Sequence, residues 1–378
     1  MKVFLFIQEE YMEQIQIPEG MRDLILDQCR KKRWLQSKIE SIFDSYGYQE
    51  VMSPTIEFYS TYSNAYQNII EEDKYKFFDQ NGRILTLRSD MTVPIARVCA
   101  TKFKDIKPPY RFRYTSNVFK VRQKFRGKQS EVTDCGIECI GLKNSDLEVL
   151  LCAIDVMESL QCSYTLEIGN VNFFKKASSY FNLSSQKLSD LINSKSMVEL
   201  KEFLIESKVD KKAYDFFMKL PFLSGDASIL DEAYALSFND EIREVILSLK
   251  ELNHMLEKMG VHHHITYDLG KVPHYKYYTG IIFEGYVAGV GTSVLNGGRY
   301  DHLLEKFTDE YPACGFSVKL DYLLDVIQLE SQTKMVIYYP ASRQIEAYLK
   351  ARELRNEYSC IECKEYDQDE IIIKEEIR

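Results

Sequence analysis

The chain has 378 residues and a formal net charge of −9, from 48 Lys and Arg against 57 Asp and Glu. That length suggests two or three structural units. The acidic balance argues against nucleic acid as the main partner, because a surface that grips a polyphosphate is usually basic. With 45% hydrophobic and 28% charged residues, the composition suits a globular protein with a large core, and 17 glycines with 9 prolines are too few for a linker-rich or collagenous chain.

The N-terminus, Met1 to Ile7, contains five consecutive apolar residues. That is too short for a signal-peptide core, and no other segment approaches the ~20 apolar residues of a spanning helix, so the reading is a cytoplasmic protein without a membrane partner. Residues 17–47 open on Ile17-Pro18-Glu19-Gly20 and continue as an amphipathic run in which Leu24, Ile25, Cys29, Trp34, Ile39, Ile42 and Phe43 fall near helical spacing, ended by Gly47. Tyr48–Glu57 reads as a short strand stopped by Pro54. Lys76–Arg88 forms two extended runs around Asn81-Gly82, a strong hairpin signal. Ser89–Pro94 caps a helix expected over Ile95–Phe103.

Residues 111–141 read as two strands joined by the basic stretch Lys120–Lys128, most simply a solvated loop. Leu147–Leu160 is helical. Residues 171–259, rich in Lys, Ser, Leu and Glu, read as a helical insertion. Strand patterning returns from Val261 to Tyr300, and 315–329 is expected to be the last core helix. The division is thus a core over 1–330 with the insertion 171–259 inside it, and a tail over 331–378 patterned strand, helix, strand, too small for a large core of its own. Clustered strands and hairpins point to an α+β fold with a mixed or antiparallel sheet, and no GxGxxG or GxxxxGK[ST] supports dinucleotide or P-loop chemistry.

Nine cysteines are scattered along the chain. Cys360 and Cys363 have CxxC spacing but no second pair nearby, and Cys135 and Cys139 flank Gly-Ile-Glu. The reading is buried or half-buried thiols in a reducing compartment, with no zinc site. His262, His263 and His264 fall in a segment that alternates like a strand, which sends adjacent side chains to opposite faces and argues against a metal.

Several segments together resemble class II aminoacyl-tRNA synthetases of the histidyl branch. Tyr48–Glu57, with Pro54, looks like motif 1. Tyr114–Lys120 and Glu131–Gly141 look like motif 2. Leu87–Thr92 resembles the segment that receives an amino group, and Tyr277-Tyr278-Thr279-Gly280 resembles the histidine-specific box. Gly297–Asp301 and Ala313–Phe316 resemble the approach to motif 3. Each is weak alone; in this order over residues 17–330 they are specific. The resemblance implies a class II synthetase-like antiparallel sheet flanked by helices, with the helical insertion and a short C-terminal α/β tail.

The sequence departs from the synthetase pattern where ATP chemistry needs cations. Lys120 stands at the motif 2 arginine, Pro273 four residues before Tyr277, and Asp321-Tyr322 at the Glu-Arg pair of motif 3. Adenylate formation relies on positioned guanidinium groups, and losing one such donor typically costs ~10²–10³ in rate. The resemblance therefore implies no catalytic residues and no cofactor. It implies a pocket for a small zwitterion, with Asp90 and Thr92 facing an α-amino group, Glu138 and Tyr278 facing an imidazole, Lys120 facing a carboxylate, Tyr277 bordering the same pocket, and Asp134 where the pattern has a glutamine. Simpler roles compete: Asp90 as a helix N-cap, the two tyrosines as core aromatics, Glu138 as a solvent-facing charge.

On these residues the chain is identified as a member of the ATP phosphoribosyltransferase regulatory subunit family. The resemblance implies a non-catalytic partner of the short-form ATP phosphoribosyltransferase catalytic subunit, in the first step of histidine biosynthesis. It also implies feedback by histidine as effector, self-association through a synthetase-like dimer interface, and a hetero-octamer with four catalytic subunits. Two alternatives stay open, a histidine-activating enzyme and a tRNA-binding synthetase paralogue.

Overall fold

In a computed structural model, described for residues 16–66, 71–121, 129–183, 186–272 and 277–377, the chain divides into two compact units between Ile327 and Gln328. The strands of the first unit are β1 Gln49–Glu50, β2 Ile56–Phe58, β3 Lys76–Phe78, β4 Ile84–Leu87, β5 Tyr110–Phe119, β6 Glu131–Ile140, β7 Tyr164–Asn170, β8 Ser224–Gly225, β9 Ile265–Asp268, β10 Ile281–Val287, β11 Leu295–Arg299 and β12 Ala313–Lys319. Among the described residues, nine of them form one sheet in the order β1-β5-β6-β12-β11-β10-β7-β9-β8. From β5 through β7 every pairing is antiparallel, whereas β1 joins β5 and β9 joins β7 in parallel. The architecture is α+β with a mixed sheet.

The long helix Asp27–Ser45 lies against this sheet. Its buried stripe is Leu35, Ile39 and Phe43, one residue per turn, and the Phe43 ring meets Phe316 of β12 edge-on at 5.7 Å. Ile25 and Cys29, expected on that stripe, are exposed near the start of the helix. Gly47 closes the helix with φ +79°: its N–H donates to the Asp44 carbonyl (2.9 Å), and the Tyr48 N–H donates to Phe43 (3.1 Å).

Pro54 splits the expected strand 48–57 into β1 and β2, which join different sheets. β2, β4 and β3 make a small sheet of their own, and the hairpin at Asn81-Gly82 forms as expected. There the Asp79 carboxylate accepts from the N–H groups of Asn81 and Arg83. The following helix runs Thr92–Lys102, starting three residues before its expected position, with Pro94 in its first turn, where a missing N–H leaves no bond unmade.

The segment 171–259 contains the helices Val171–Tyr180, Gln186–Asn193, Met197–Glu206, Lys211–Lys219, Ile229–Leu236 and Asp240–Lys258. It is interrupted by β8, which extends the large sheet at β9. The three histidines do not alternate on a strand. Gly260 (φ +74°) ends the last helix, and the chain returns through a turn closed by the Ile265 N–H on the His262 carbonyl, so β9 begins only after His264.

Residues 315–329 do not form the expected helix. Residues 313–319 are strand β12, followed by the single 3₁₀ turn Leu320–Tyr322. The reason is a period of two: Phe316 and Val318 are buried on one face while Gly315, Ser317 and Lys319 lie on the other. In the second unit, β13 Thr333–Tyr339 pairs in parallel with β14 Ile361–Glu365 through the helix Gln344–Leu354, and in antiparallel with β15 Ile372–Ile377, which sequence patterning missed. Its core is Ile337, Tyr339, Ala347, Ala351 and Ile361. The nine cysteines are free thiols, five buried, three half-buried, and Cys29 exposed. Among the described residues no helix is long and apolar enough to cross a membrane.

Candidate functional site

Register across the sheet builds the floor of a cavity. On β6, Asp134, Gly136 and Glu138 are two residues apart and share a face, and opposite them on β12 stand Lys319, Ser317 and Gly315. Asn296 of β11 lies beside Ser317, and Glu284 of β10 beside Asn296. A Cβ on Gly315 would overlap Glu138 Oε2 and the Ile137 carbonyl, so the strand can pass the buried carboxylate only with glycine there. The walls are Asp90 and Thr92 at a helix start, with Tyr66, Tyr277, Tyr278 and Tyr300. The cavity measures about 470 Å³.

All seven residues singled out from the sequence border it: Asp90, Thr92, Lys120, Asp134, Glu138, Tyr277 and Tyr278. Asp90 also caps its helix, since Oδ1 accepts from the Val93 N–H (3.1 Å), while Oδ2 accepts from the hydroxyls of Tyr66 (3.1 Å) and Ser89 (3.3 Å). Glu138 does not face solvent: it is 2% exposed. Thr92 Oγ1 donates to its Oε1 (2.8 Å) and the Tyr300 hydroxyl to its Oε2. Burial pushes the Glu138 carboxyl up to about 7; the two donors pull it down, and the Asp90 charge raises it. Asp134 is 8% exposed and its Oδ1 has no hydrogen-bond partner. Burial raises its pKa, opposed by Lys319 and Lys120. Tyr277 stacks on Tyr66 at 5.6 Å and meets Tyr300 edge-on at 6.0 Å.

The structure adds residues that sequence reasoning did not place. Tyr300 was visible within Gly-Gly-Arg-Tyr, and Lys319 was signalled by its period-two spacing from Gly315. Lys271, pinned by Glu167 (2.8 Å) and Glu284 (2.7 Å), had no local signal, because its partners lie on β7 and β10. Lys74 donates to Ser89 Oγ behind Asp90, and burial draws its pKa down to about 8 against the pull of Asp90.

Among the described residues bordering the cavity there are lysines, Lys120, Lys271 and Lys319, and no arginine. Arg299 is turned into a network with Asp146 (2.6 Å), Asp301 (3.0 Å) and the Lys143 carbonyl, and Arg88 donates to the carbonyls of Asn117 and Ser53. Asp321 is buried and bonds the Thr133 N–H (2.6 Å) and Lys32 (3.0 Å), leaving Tyr322 at the cavity. Pro273 and the basic loop 122–128 lie outside the described residues. The one His and carboxylate group among the described residues whose ligand atoms converge, His302, Glu305 and Glu310, is exposed and does not border the cavity.

The histidyl-tRNA synthetase family model matches residues 20–323. A protein of Clostridium botulinum named ATP phosphoribosyltransferase regulatory subunit is 36% identical over 371 residues, covering 94% of this chain and 88% of its own. This chain belongs to the ATP phosphoribosyltransferase regulatory subunit family. A second family member, from Clostridium kluyveri, is 35% identical over 369 residues, with 93% and 94% covered. A solved structure from Bacillus halodurans C, titled as an ATP phosphoribosyltransferase regulatory subunit/histidyl-tRNA synthetase, superposes with a TM-score of 0.83 at 30% identity over 93% of both chains. The histidyl-tRNA synthetase of Nostoc, at 18% identity and a TM-score of 0.71, shares the fold over 94% of this chain and 86% of its own. Family membership fits a synthetase-like sheet whose cavity, among the described residues, is bordered by carboxylates, lysines and tyrosines and by no arginine.

Proposed function

We propose that the chain is the non-catalytic regulatory subunit of an ATP phosphoribosyltransferase in histidine biosynthesis. It pairs with a short-form catalytic subunit and makes that enzyme responsive to histidine. The supporting observation is that one cavity is bordered by Asp90, Thr92, Glu138 and Tyr278, and by Tyr322 and Lys120 at positions where the synthetase pattern has arginine. A lysine offers a point charge, but a tyrosine offers none, so stabilisation of a developing adenylate is lost.

In this reading the cavity takes histidine. The ligand's ammonium lies toward Asp90 and Thr92; its imidazole lies toward Glu138 and Tyr278, with Tyr277 beside them; its carboxylate lies toward Lys120. The complex is a cytoplasmic hetero-octamer, and the regulatory chains self-associate through their synthetase-like faces. Feedback requires histidine to bind the low-activity form of the complex more tightly than the active one, since equal affinity shifts no population.

Co-purification with the short catalytic subunit, followed by phosphoribosyl transfer with and without histidine, tests the proposal. The expected result is a stable complex, a gain in turnover on mixing, and inhibition by histidine. Histidine-dependent ATP–pyrophosphate exchange by the pure chain would instead make it a synthetase, and strongly salt-dependent tRNA binding would make it an RNA-binding paralogue.

A further inference from the structure

A second cavity, of about 500 Å³, lies on the other face of the large sheet. Thr115 and Thr133 line it, and along β5 and β6 they alternate with Tyr114 and Asp134, which border the first cavity. The helix Asp27–Ser45 supplies Lys32 and Arg33. Among the described residues, the lining has three cations, Lys32, Arg33 and Arg88, and no carboxylate, in a chain whose net charge is −9. The first cavity, by contrast, is bordered by the carboxylates Asp90, Asp134, Glu138 and Glu284.

Arg88 is the buried member of the three, 7% exposed. Its Nε donates to the Asn117 carbonyl (2.7 Å) and its Nη1 to the Ser53 carbonyl (2.8 Å), which makes it a strut between two segments. Its Nη2 donates to no described residue, and no described carboxylate pairs with it. Burial lowers its pKa; Tyr62 and Glu57 oppose that, and Glu57 is itself clasped by Arg97 at 2.6 Å. A buried guanidinium without a counter-charge is costly, and an anion that meets its free arm recovers part of that cost. Among the described residues Arg33 is exposed and makes no ion pair. Lys32 (3.0 Å) shares the buried Asp321 with Arg22 (3.7 Å), so one carboxylate serves two cations there. Thr55 and Ser116 add hydroxyl donors to the lining.

We infer that this second cavity is a binding site for a small, multiply charged phosphate compound, with the free arm of Arg88, Arg33 and Lys32 as its cationic contacts. Two features set the class. Guanidinium groups are planar and offer paired N–H donors that match the oxygens of a phosphate. The cations also come from two elements, Arg88 from the sheet side and Lys32 and Arg33 from the helix, which suits a ligand with more than one negative charge. Pyrophosphate is the simplest such ligand. The two cavities share no lining residue, so the inference is independent of the reading of the first as a histidine pocket.

Calorimetric titration of the full chain with inorganic pyrophosphate tests this, with sodium chloride at matched ionic strength as the control. Binding should be tighter than about 1 mM and should weaken as salt rises, because Arg33 is exposed and its charge is screened. Arg33→Glu should weaken it at least about fivefold, and Arg88→Lys, which keeps a charge but loses the planar fork, about tenfold. Arg33→Glu carries the test alone if loss of the Arg88 strut unfolds the chain. A local readout comes from Cys29, the exposed thiol among the nine, which lines this cavity. Pyrophosphate should slow its alkylation by iodoacetamide severalfold, read by peptide mass, and leave the half-buried Cys360 and Cys363 of the second unit unchanged. No binding by the wild-type chain, an unchanged affinity in Arg33→Glu, or binding that leaves Cys29 alkylation unchanged would each overturn the assignment, the last by placing the anion against the lysines of the first cavity. Histidine binding can fail or succeed without moving any of these readouts, so the two proposals fall separately.

Discussion

Glu138 sits where two effects oppose each other. Burial favours its neutral form and two hydroxyl donors favour its charged form, and burial wins, with a pKa near 7. The sign follows from linkage. An acid whose pKa is raised in the folded state stabilises the fold fully only below its ordinary value of 4.5, and that contribution is lost as pH rises toward about 7. Glu138→Gln keeps an acceptor for Thr92 and Tyr300 but removes the titration. Thermal melts should therefore show the variant gaining on wild type steadily from about pH 4.5 to about 7; parallel profiles would refute the burial account. Gly315 is the other residue on which the site turns. A side chain there meets Glu138 and the Ile137 carbonyl, so Gly315→Ala should lose about 1–3 kcal/mol in urea denaturation, and a neutral result would show that β12 can shift aside.

At the scale of elements, the helical insertion holds the segment that carries the paired tyrosines. The Asn193 amide donates to the Val272 carbonyl (2.6 Å) and accepts from the Val272 N–H (2.9 Å), like one rung of a strand pairing. From the first helix of the insertion, Lys175 Nζ donates to the Tyr278 carbonyl (2.6 Å), and Asn172 donates to Thr279 (2.8 Å). Lys175 does not border the cavity, so its influence on a ligand runs through Tyr278. Lys175→Met and Asn193→Ala should each cost about 1–3 kcal/mol through unmet backbone groups and, under the function proposed above, weaken histidine binding severalfold. Calorimetry on both variants checks this; stability loss with unchanged affinity would mean that the tyrosines hold their place without the insertion.

At the scale of the whole molecule, the two units differ in what they bury. The first has an extended core that includes Leu35, Ile39, Phe43, Ile137 and Phe283, each at most 1% exposed, whereas the core cluster of the second has five buried residues. Local stability follows buried apolar area, so amides of β13, β14 and β15 should exchange with solvent well before those of β6 and β12. Hydrogen exchange followed by mass spectrometry measures this, and equal protection would show that the tail is stabilised by something beyond its own core. The stretch before the site also exposes large apolar residues, among them Met52 at 79% and Phe78 at 72%. Under the self-association proposed above, sedimentation should find a dimer or larger species, and a monomer at micromolar concentration would remove that part of the proposal.

Much of this was legible from local spacing. Asn81-Gly82 marks its hairpin, and Gly47 marks a helix end by a left-handed residue that forms without steric cost. The motif order placed Asp134 and Glu138 four residues apart, hence on one face of a strand, and the replaced arginines were visible in the sequence itself. What tertiary structure decided involves partners distant along the chain. Period-two packing of Phe316 against Phe43 makes 315–319 part of a strand where a helix was expected, and the sharp return after Gly260 takes the three histidines out of theirs. The pairing of Asp134 with Lys319, and of Glu138 with a tyrosine 162 residues away, exists only once the sheet has its register. Local geometry is set by neighbours in sequence and so can be read from them, whereas burial and charge balance are set by whatever the fold brings alongside.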